Sequence, residues 1–402
     1  EDFEQAQQTV SSVAIQTPML HSNFLTELLG TQVFLKCENL QRTGAYKVRG
    51  AFNRMSKLTK DERKRGVVAA SAGNHAQGVA LAANKLGIKA TIFMPIGASL
   101  PKYQATVNYG ANVVLEGAVF QETLKAAQEF AQKKGSVFIP PFDHLDVIAG
   151  QGTVGLEIID QLPQTDTILV AIGGGGLAAG LAVSAKLKAA ALGRKIKVIG
   201  VQAANAAAYP PSLKSGEPKT IQILPTIADG IAVSRPGKLP FDIIAEYVDK
   251  VVTVSEDEIA KAILVMMERT KLVVEPAGVV TIAALLSGAH KPKGTTVAVL
   301  SGGNIDPLLM QKVIGHGLAA SERYTTISVM LPDRPGQLVK TAEAIAAAHG
   351  NVVEVLHTRH GNGWEISEVE LRLSVETRGH EHREEVLEAL TAAGLKPRIQ
   401  AD

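Results

Sequence analysis

Short β-branched runs alternate with Ala- and Leu-rich amphipathic stretches along most of this chain. Val67–Ala70 precedes a helical pattern from Gln77 to Leu86, Ala90–Met94 one around Lys102 to Tyr109, and Asn112–Leu115 one from Gln121 to Lys133. Thr167–Ile172 precedes a pattern from Leu177 to Leu192, and Lys197–Val201, Lys250–Val254 and Thr295–Leu300 read as further strands. Strands that alternate with helices imply βα units and parallel sheets, an α/β fold. Ligands of such sheets bind beyond the carboxyl ends of the strands.

The texture changes near Ser321. A strand (Thr326–Leu331), a turn (Pro332 to Gly336) and a helix (Gln337–His349) are followed by strands Val352–Thr358 and Trp364–Glu376, a helix (Glu381–Ala393) and a strand (Lys396–Gln400). Val369, Leu371, Leu373 and Val375 alternate with Glu370, Arg372 and Ser374, the pattern of a half-buried antiparallel strand. The βαββαβ order is that of a ferredoxin-like unit, placed at 325–402 after a linker and helix around 307–324.

Composition excludes several classes. At 402 residues the chain holds two or three compact units. A net charge of +2, without a basic stripe or acidic tail, gives no sign of a nucleic-acid or anionic-membrane partner. No apolar run reaches about 18 residues, so no membrane span is expected. The acidic, polar start Glu1-Asp2-Phe3-Glu4 does not read as a signal peptide, and the missing initiator methionine is that of a trimmed or incompletely shown N-terminus. A cytoplasmic location is expected. The single cysteine, Cys37, rules out an intrachain disulfide framework and reads as a small buried strand residue. His357 and His360, and His380 and His382, lack metal-site spacing and read as surface residues; no metal is expected. Trp364 reads as core or edge packing.

Four segments carry the chemistry: Thr43 to Ala51 around Lys47, Ser71-Ala72-Gly73-Asn74-His75, Gly173-Gly174-Gly175-Gly176-Leu177, and Ser301-Gly302-Gly303-Asn304. Three follow predicted strands directly, and the lysine lies a little beyond a further predicted strand, Val33–Glu38. The glycine run opens a helix, so its N–H groups and the positive helix end can meet an anion; the plain alternative is a tight turn. Gly174 to Ala179 fits a loose dinucleotide pattern, but no Asp or Glu lies between Gly176 and Glu217 to hold a ribose. Alone, Ser71 to His75 is a helix cap, His75 a structural histidine, Ser301 to Asn304 a turn, and Lys47 an exposed lysine. Together they read as a Schiff-base lysine, a loop for substrate and ring, a phosphate cradle and a partner for a ring nitrogen, the parts of a pyridoxal-phosphate site. A Schiff-base lysine must be neutral part of the time. Burial and positive charge lower its pKa, and Arg49 is close in sequence.

In these motifs, and in Ile148 to Thr153, Ala228 to Gly237 and Glu275-Pro276-Ala277-Gly278, the chain resembles the fold-type II pyridoxal-phosphate enzymes, and within them the threonine dehydratases (threonine ammonia-lyases), over about residues 10–320. The C-terminal unit, with Asp333-Arg334-Pro335-Gly336-Gln337-Leu338, resembles an ACT domain. The resemblance implies two parallel-sheet βα domains of the tryptophan synthase β-like kind. The large one would span 1–50 and 149–320, the small one 51–148, and the linker and ferredoxin-like ACT-type domain 321–402.

It also implies roles. Lys47 would hold pyridoxal 5'-phosphate as a Schiff base and act as the catalytic base. Gly173, Gly174, Gly175, Gly176 and Leu177 would bind the phosphate, Asn74 the ring 3-hydroxyl, and Ser301 the pyridine nitrogen. Ser71, Ala72, Gly73 and His75 would line the substrate carboxylate, and Phe52 or Tyr46 would pack near the ring. A serine at the ring nitrogen, unlike an aspartate, does not favour a protonated pyridine and suits β-elimination. The expected substrates are L-threonine, giving 2-oxobutanoate and ammonia, and L-serine. The alternative is a serine racemase, which needs a second acid/base on the opposite face of Cα. Racemases carry a second serine where this chain has Ala72, and a metal-binding glutamate near the strand that here holds Gln202. The ACT-like unit would either dimerise or bind an effector such as isoleucine or valine. A homodimer or homotetramer is expected, and Glu275 is a candidate neighbour of a monovalent cation.

Overall fold

A computed structural model describes residues 2–359 and 367–400. His360 and Trp364 lie outside the described residues. The chain divides into two compact units, Glu1–Met310 and Gln311–Asp402.

The first unit holds two sheets, and the chain enters, leaves and re-enters the larger. Strands β1 (Met19–His21) and β2 (Val33–Lys36) begin it. The chain then builds a four-stranded sheet from β3 (Val67–Ala70), β4 (Ala90–Met94), β5 (Asn112–Leu115) and β6 (Val137–Phe138), ordered β5-β4-β3-β6 and parallel throughout. It returns with β7 (Thr167–Ala171), β8 (Lys197–Ala203), β9 (Lys250–Val254) and β10 (Thr296–Val299). The six-stranded order is β1-β2-β10-β7-β8-β9, with β1 alone antiparallel. Thr296 pairs with Val33 on one side and Thr167 on the other, so β2, β10 and β7 are in close register.

β7 and β10 are buried at every residue, because helices cover both faces of a parallel sheet; hence their unbroken apolar runs. Ile168, Val170, Val198, Val297 and Val299 pack with Ile158, Leu177 and Leu181 into one core. Val67, Ala69, Ile92 and Met94 pack with Val48, Met55 and Val79 into a second. Each such Val, Leu, Ile or Met side chain contributes about 1.5–3 kcal/mol on burial. The short β1 and the helices Asp2–Val10 and Asn23–Leu29 were not expected from the sequence, where their patterns span too few residues to register.

The second unit contains β11 (Tyr324–Pro332), β12 (Asn351–Thr358), β13 (Glu368–Glu376) and β14 (Pro397–Ile399), an antiparallel sheet ordered β12-β13-β11-β14. Helices Gln337–Ala347 and His380–Ala392 complete the ferredoxin-like order. Ile327, Val329, Val369, Leu371, Leu373 and Val375 pack with Ile345, Val386 and Leu390. The opposite face of β13 is less solvated than its polar sequence implies. Glu370 is buried, accepting from Ser328 Oγ (2.5 Å), Gln400 Nε2 (3.2 Å) and Arg372 Nη2 (3.3 Å). His382 also departs from its surface reading. It is buried, its Nδ1 accepting from the Arg378 N–H (3.0 Å) and its Nε2 donating to Ala348 O (2.7 Å). His357 and His380 are exposed.

Candidate active site

Lys47 opens the helix Lys47–Ser56. Its neighbours are set from elsewhere in the chain: Ala45 bridges to Gly302, and Tyr46 N–H donates to Ser301 O at 3.2 Å. Ser301 therefore lies beside the lysine, beyond the carboxyl end of β10. Lys47 Nζ donates to Pro141 O (3.1 Å) and lies 5.2 Å from the Tyr46 ring centre. Burial lowers its pKa to about 8, while the Glu275 charge opposes the shift. Arg49 is not the cause that its sequence position implied. Its guanidinium is enclosed by Glu38 and Glu157, which neutralise it.

The next residue along from Pro141, Phe142, reaches the glycine run. A Cβ on Gly174 would strike the Phe142 ring, and one on Gly176 would come within 3.0 Å of Phe142 Cβ. Gly175 has φ +104° and caps the helix Gly176–Ala191 without a side-chain hydrogen bond. A Cβ there would also strike the Tyr209 hydroxyl, which donates to Gly174 O at 3.1 Å. The chain thus passes here without side chains, at the uncapped positive end of a helix of 16 residues. Leu177 begins its buried face.

Ser71 follows β3, and its Oγ accepts from Gly73 N–H at 3.2 Å, shaping a half-buried loop of Ser71, Ala72 and Gly73. The loop leads into the helix Asn74–Leu86, which approaches the lysine helix closely: a Cβ on Gly78 would lie 3.1 Å from the Lys47 carbonyl carbon. Asn74 Nδ2 donates to Glu275 Oε1 (2.6 Å), and Asn74 Oδ1 accepts from Asn304 Nδ2 (2.8 Å). His75 is buried and pairs through Nε2 with Ile139 O (2.9 Å); burial, then the Lys47 charge, pushes its pKa down to about 3. Phe52 lies in the core beneath the smaller sheet, whereas Tyr46 lies at the lysine.

All four motifs converge, through Pro141, Phe142 and Tyr209, which sequence reasoning missed, and Glu275, which it named only as a candidate cation neighbour. The Ile139-Pro140-Pro141-Phe142 run was the one local signal for the first two. Glu275 stands at the N-cap position of the helix Pro276–Leu286 without a side-chain cap bond, its N–H donates to Gly302 O (3.0 Å), and burial and then the Asp229 charge push its carboxyl up to about 7. Gln202 is occupied by backbone, accepting from Tyr209 N–H (2.9 Å) and donating to Ile172 O (3.2 Å). Among the described residues no group of three or more His, Cys, Asp or Glu could hold a metal ion. A cradle that would reject any Cβ, an uncapped helix N-terminus and a lysine amine with its pKa near 8 fit pyridoxal phosphate.

Comparison with known proteins agrees. Residues 10–302 match the pyridoxal-phosphate dependent enzyme family and residues 325–394 the ACT domain. The chain belongs to the pyridoxal-phosphate-dependent enzymes, as a lyase with a C-terminal ACT domain. Within that family it groups with the L-threonine ammonia-lyases: it is 45% identical to that of Thermotoga maritima over 99% of this chain and 98% of the relative. The processed form of threonine deaminase isoform 2 from Solanum lycopersicum superposes with a TM-score of 0.74 at 38% identity, covering 78% of this chain and 92% of that one. Maize serine racemase superposes almost as well, at TM-score 0.72 and 32% identity, covering 79% and 97%. The fold alone therefore does not separate elimination from racemisation.

Proposed function

We propose that this chain converts L-threonine to 2-oxobutanoate and ammonia, and L-serine more slowly to its 2-oxo acid, with the ACT domain binding a regulatory amino acid such as isoleucine or valine. The observation that carries the reading is the placement of Lys47: its Nζ reaches Pro141 O, next to the Phe142 that packs on the glycine run, and Tyr46 N–H donates to Ser301 O beside it.

Bound pyridoxal phosphate supplies a carbonyl for the lysine amine and a conjugated ring that takes up the electron pair left at Cα. Gly173, Gly174, Gly175, Gly176 and Leu177 would hold its phosphate through backbone N–H groups. Asn74 would bind the ring hydroxyl, and Ser301 the ring nitrogen. Ser71, Ala72, Gly73 and His75 would receive the substrate carboxylate at the half-buried loop and the start of the helix Asn74–Leu86. Lys47 Nζ would take the Cα proton of the bound substrate. Loss of the β-hydroxyl as water uses one proton, which balances the one Lys47 takes from Cα, and the enamine product takes up water to give the 2-oxo acid and ammonia.

Racemisation needs a proton donor on the far face of Cα, and Ala72 has no proton to give. His75 is held neutral with Nε2 engaged by Ile139 O. Both observations favour elimination. We further propose a catalytic division into 1–50 with 149–320 and 51–148, a homodimer or homotetramer, and a cytoplasmic location. Among the described residues no helix is long and apolar enough to cross a membrane. The test is 2-oxobutanoate production from L-threonine, with D-serine production from L-serine measured alongside. Production that vanishes in Lys47→Ala is expected; D-serine as the main product would overturn the reading.

A further inference from the structure

Arg49 follows Lys47 by two residues on one helix, so the two side chains leave the first turn roughly 200° apart. Lys47 Nζ reaches Pro141 O, next to the Phe142 that packs on the glycine run. Arg49 points the other way, into the interior, and is 1% exposed. Its Nε and Nη2 donate to the two oxygens of Glu38, each at 2.8 Å. Its Nη1 and Nη2 donate to the two oxygens of Glu157 at 2.6 and 3.0 Å. Lys36 Nζ completes the group, donating to Glu157 Oε2 at 2.6 Å.

These four buried charges balance, and they come from four places: the end of β2, the turn Glu38–Leu40, the lysine helix, and the helix Leu145–Gln161. The two helices touch closely enough that a Cβ on Gly150 would lie 2.6 Å from Arg49 O. A planar guanidinium gripped by two carboxylates has one allowed orientation, which a lysine would not have. Apolar side chains of the same volume would stabilise such a core as well or better. Stability alone therefore does not account for the group.

We infer that Arg49, clamped by Glu38 and Glu157, is a positioning residue: it fixes the rotation of the first turn of its helix and thereby aims Lys47 Nζ. The inference rests on the reading of Lys47 as the cofactor-bearing lysine.

The test uses the full chain reconstituted with pyridoxal phosphate, as Arg49→Lys and as the charge-balanced double variant Lys36→Met/Glu157→Gln. Two readouts separate aiming from mere stability: the rate at which borohydride-reducible cofactor becomes attached at Lys47, and kcat against KM for L-threonine. Folded variants are expected to show slower attachment and kcat lowered roughly 10- to 100-fold with KM near that of the parent. Folded variants with parental attachment and kcat overturn the inference. So does a failure of both variants to fold, which would make the group a requirement of folding only. A parent that attaches no cofactor at Lys47 overturns instead the reading on which the inference rests.

Discussion

Asn74 Nδ2 lies 2.6 Å from Glu275 Oε1, joining the loop after β3 to the helix Pro276–Leu286 across the site. Glu275 is one of the most enclosed carboxyls of the first unit, and its ionisation is opposed chiefly by burial.

That carboxyl titrates near 7 in the folded chain, against an ordinary value of 4.5 once unfolding exposes it to water. Between those values the native state binds more protons, so stability falls as pH rises through the window, and the cost is complete above it. In cofactor-free protein, Glu275→Gln should raise stability at pH 8 by on the order of 2–3 kcal/mol and leave it unchanged at pH 4. Urea midpoints at the two pH values measure this. The same gain at both would show that the carboxyl is not perturbed.

Lys47 makes the opposite shift, from 10.5 down to about 8. The unfolded chain binds more protons between these values, so stability contributed at this position rises with pH across the window. The shift also sets reactivity. Attachment of pyridoxal phosphate to the cofactor-free protein should quicken about tenfold per pH unit below 8 and level off above it, because the neutral amine is the nucleophile. Stopped-flow absorbance between pH 6 and 10 follows it. A rate still climbing at pH 10 would mean an ordinary lysine.

Gly175 has φ +104° and no room for a Cβ beside Tyr209 and Pro240. Gly175→Ala should destabilise the protein by roughly 1–3 kcal/mol and weaken cofactor binding. Gly216 also has positive φ, but open space around it, and Gly216→Ala should leave cofactor affinity unchanged. Thermal melts and cofactor titrations of the two variants make the comparison; equal losses of affinity would place the cradle elsewhere.

Lys102, on the helix Leu100–Asn108 between β4 and β5, pairs with Asp229 at 2.7 Å, linking a crossover of the smaller sheet to a segment between β8 and β9 of the larger. Asp229 is more than half exposed, so the pair contributes at most about 1 kcal/mol to stability. Its charges do reach Glu275. Lys102→Met should leave the melting temperature nearly unchanged and raise KM for L-threonine several-fold. An unchanged KM would make the pair a surface contact.

How much of this was legible depends on range. The strands after which Ser71, Gly173 and Ser301 follow are visible in the sequence because a buried parallel strand writes a continuous apolar run. The glycine run and the lysine announce themselves by residue type. Arg49 misled, because closeness along the chain was taken for closeness of charge, while a helix turns alternate residues to opposite sides. His382 misled because a helix-terminal histidine can turn inward to backbone partners.

By itself the sequence determined the α/β alternation, the ferredoxin-like C-terminal order and the four chemical motifs, since periodicity and local residue chemistry are written within a dozen residues or so. The tertiary structure alone decided which partners complete the site. Pro141 meets Lys47 94 residues away, Asn74 meets Glu275 across 201, and Arg49 meets Glu157 across 108. Hydrogen bonds and burial act through space, so the depressed lysine, the raised carboxyl and the glycine cradle exist only once the two sheets have brought those distant residues together.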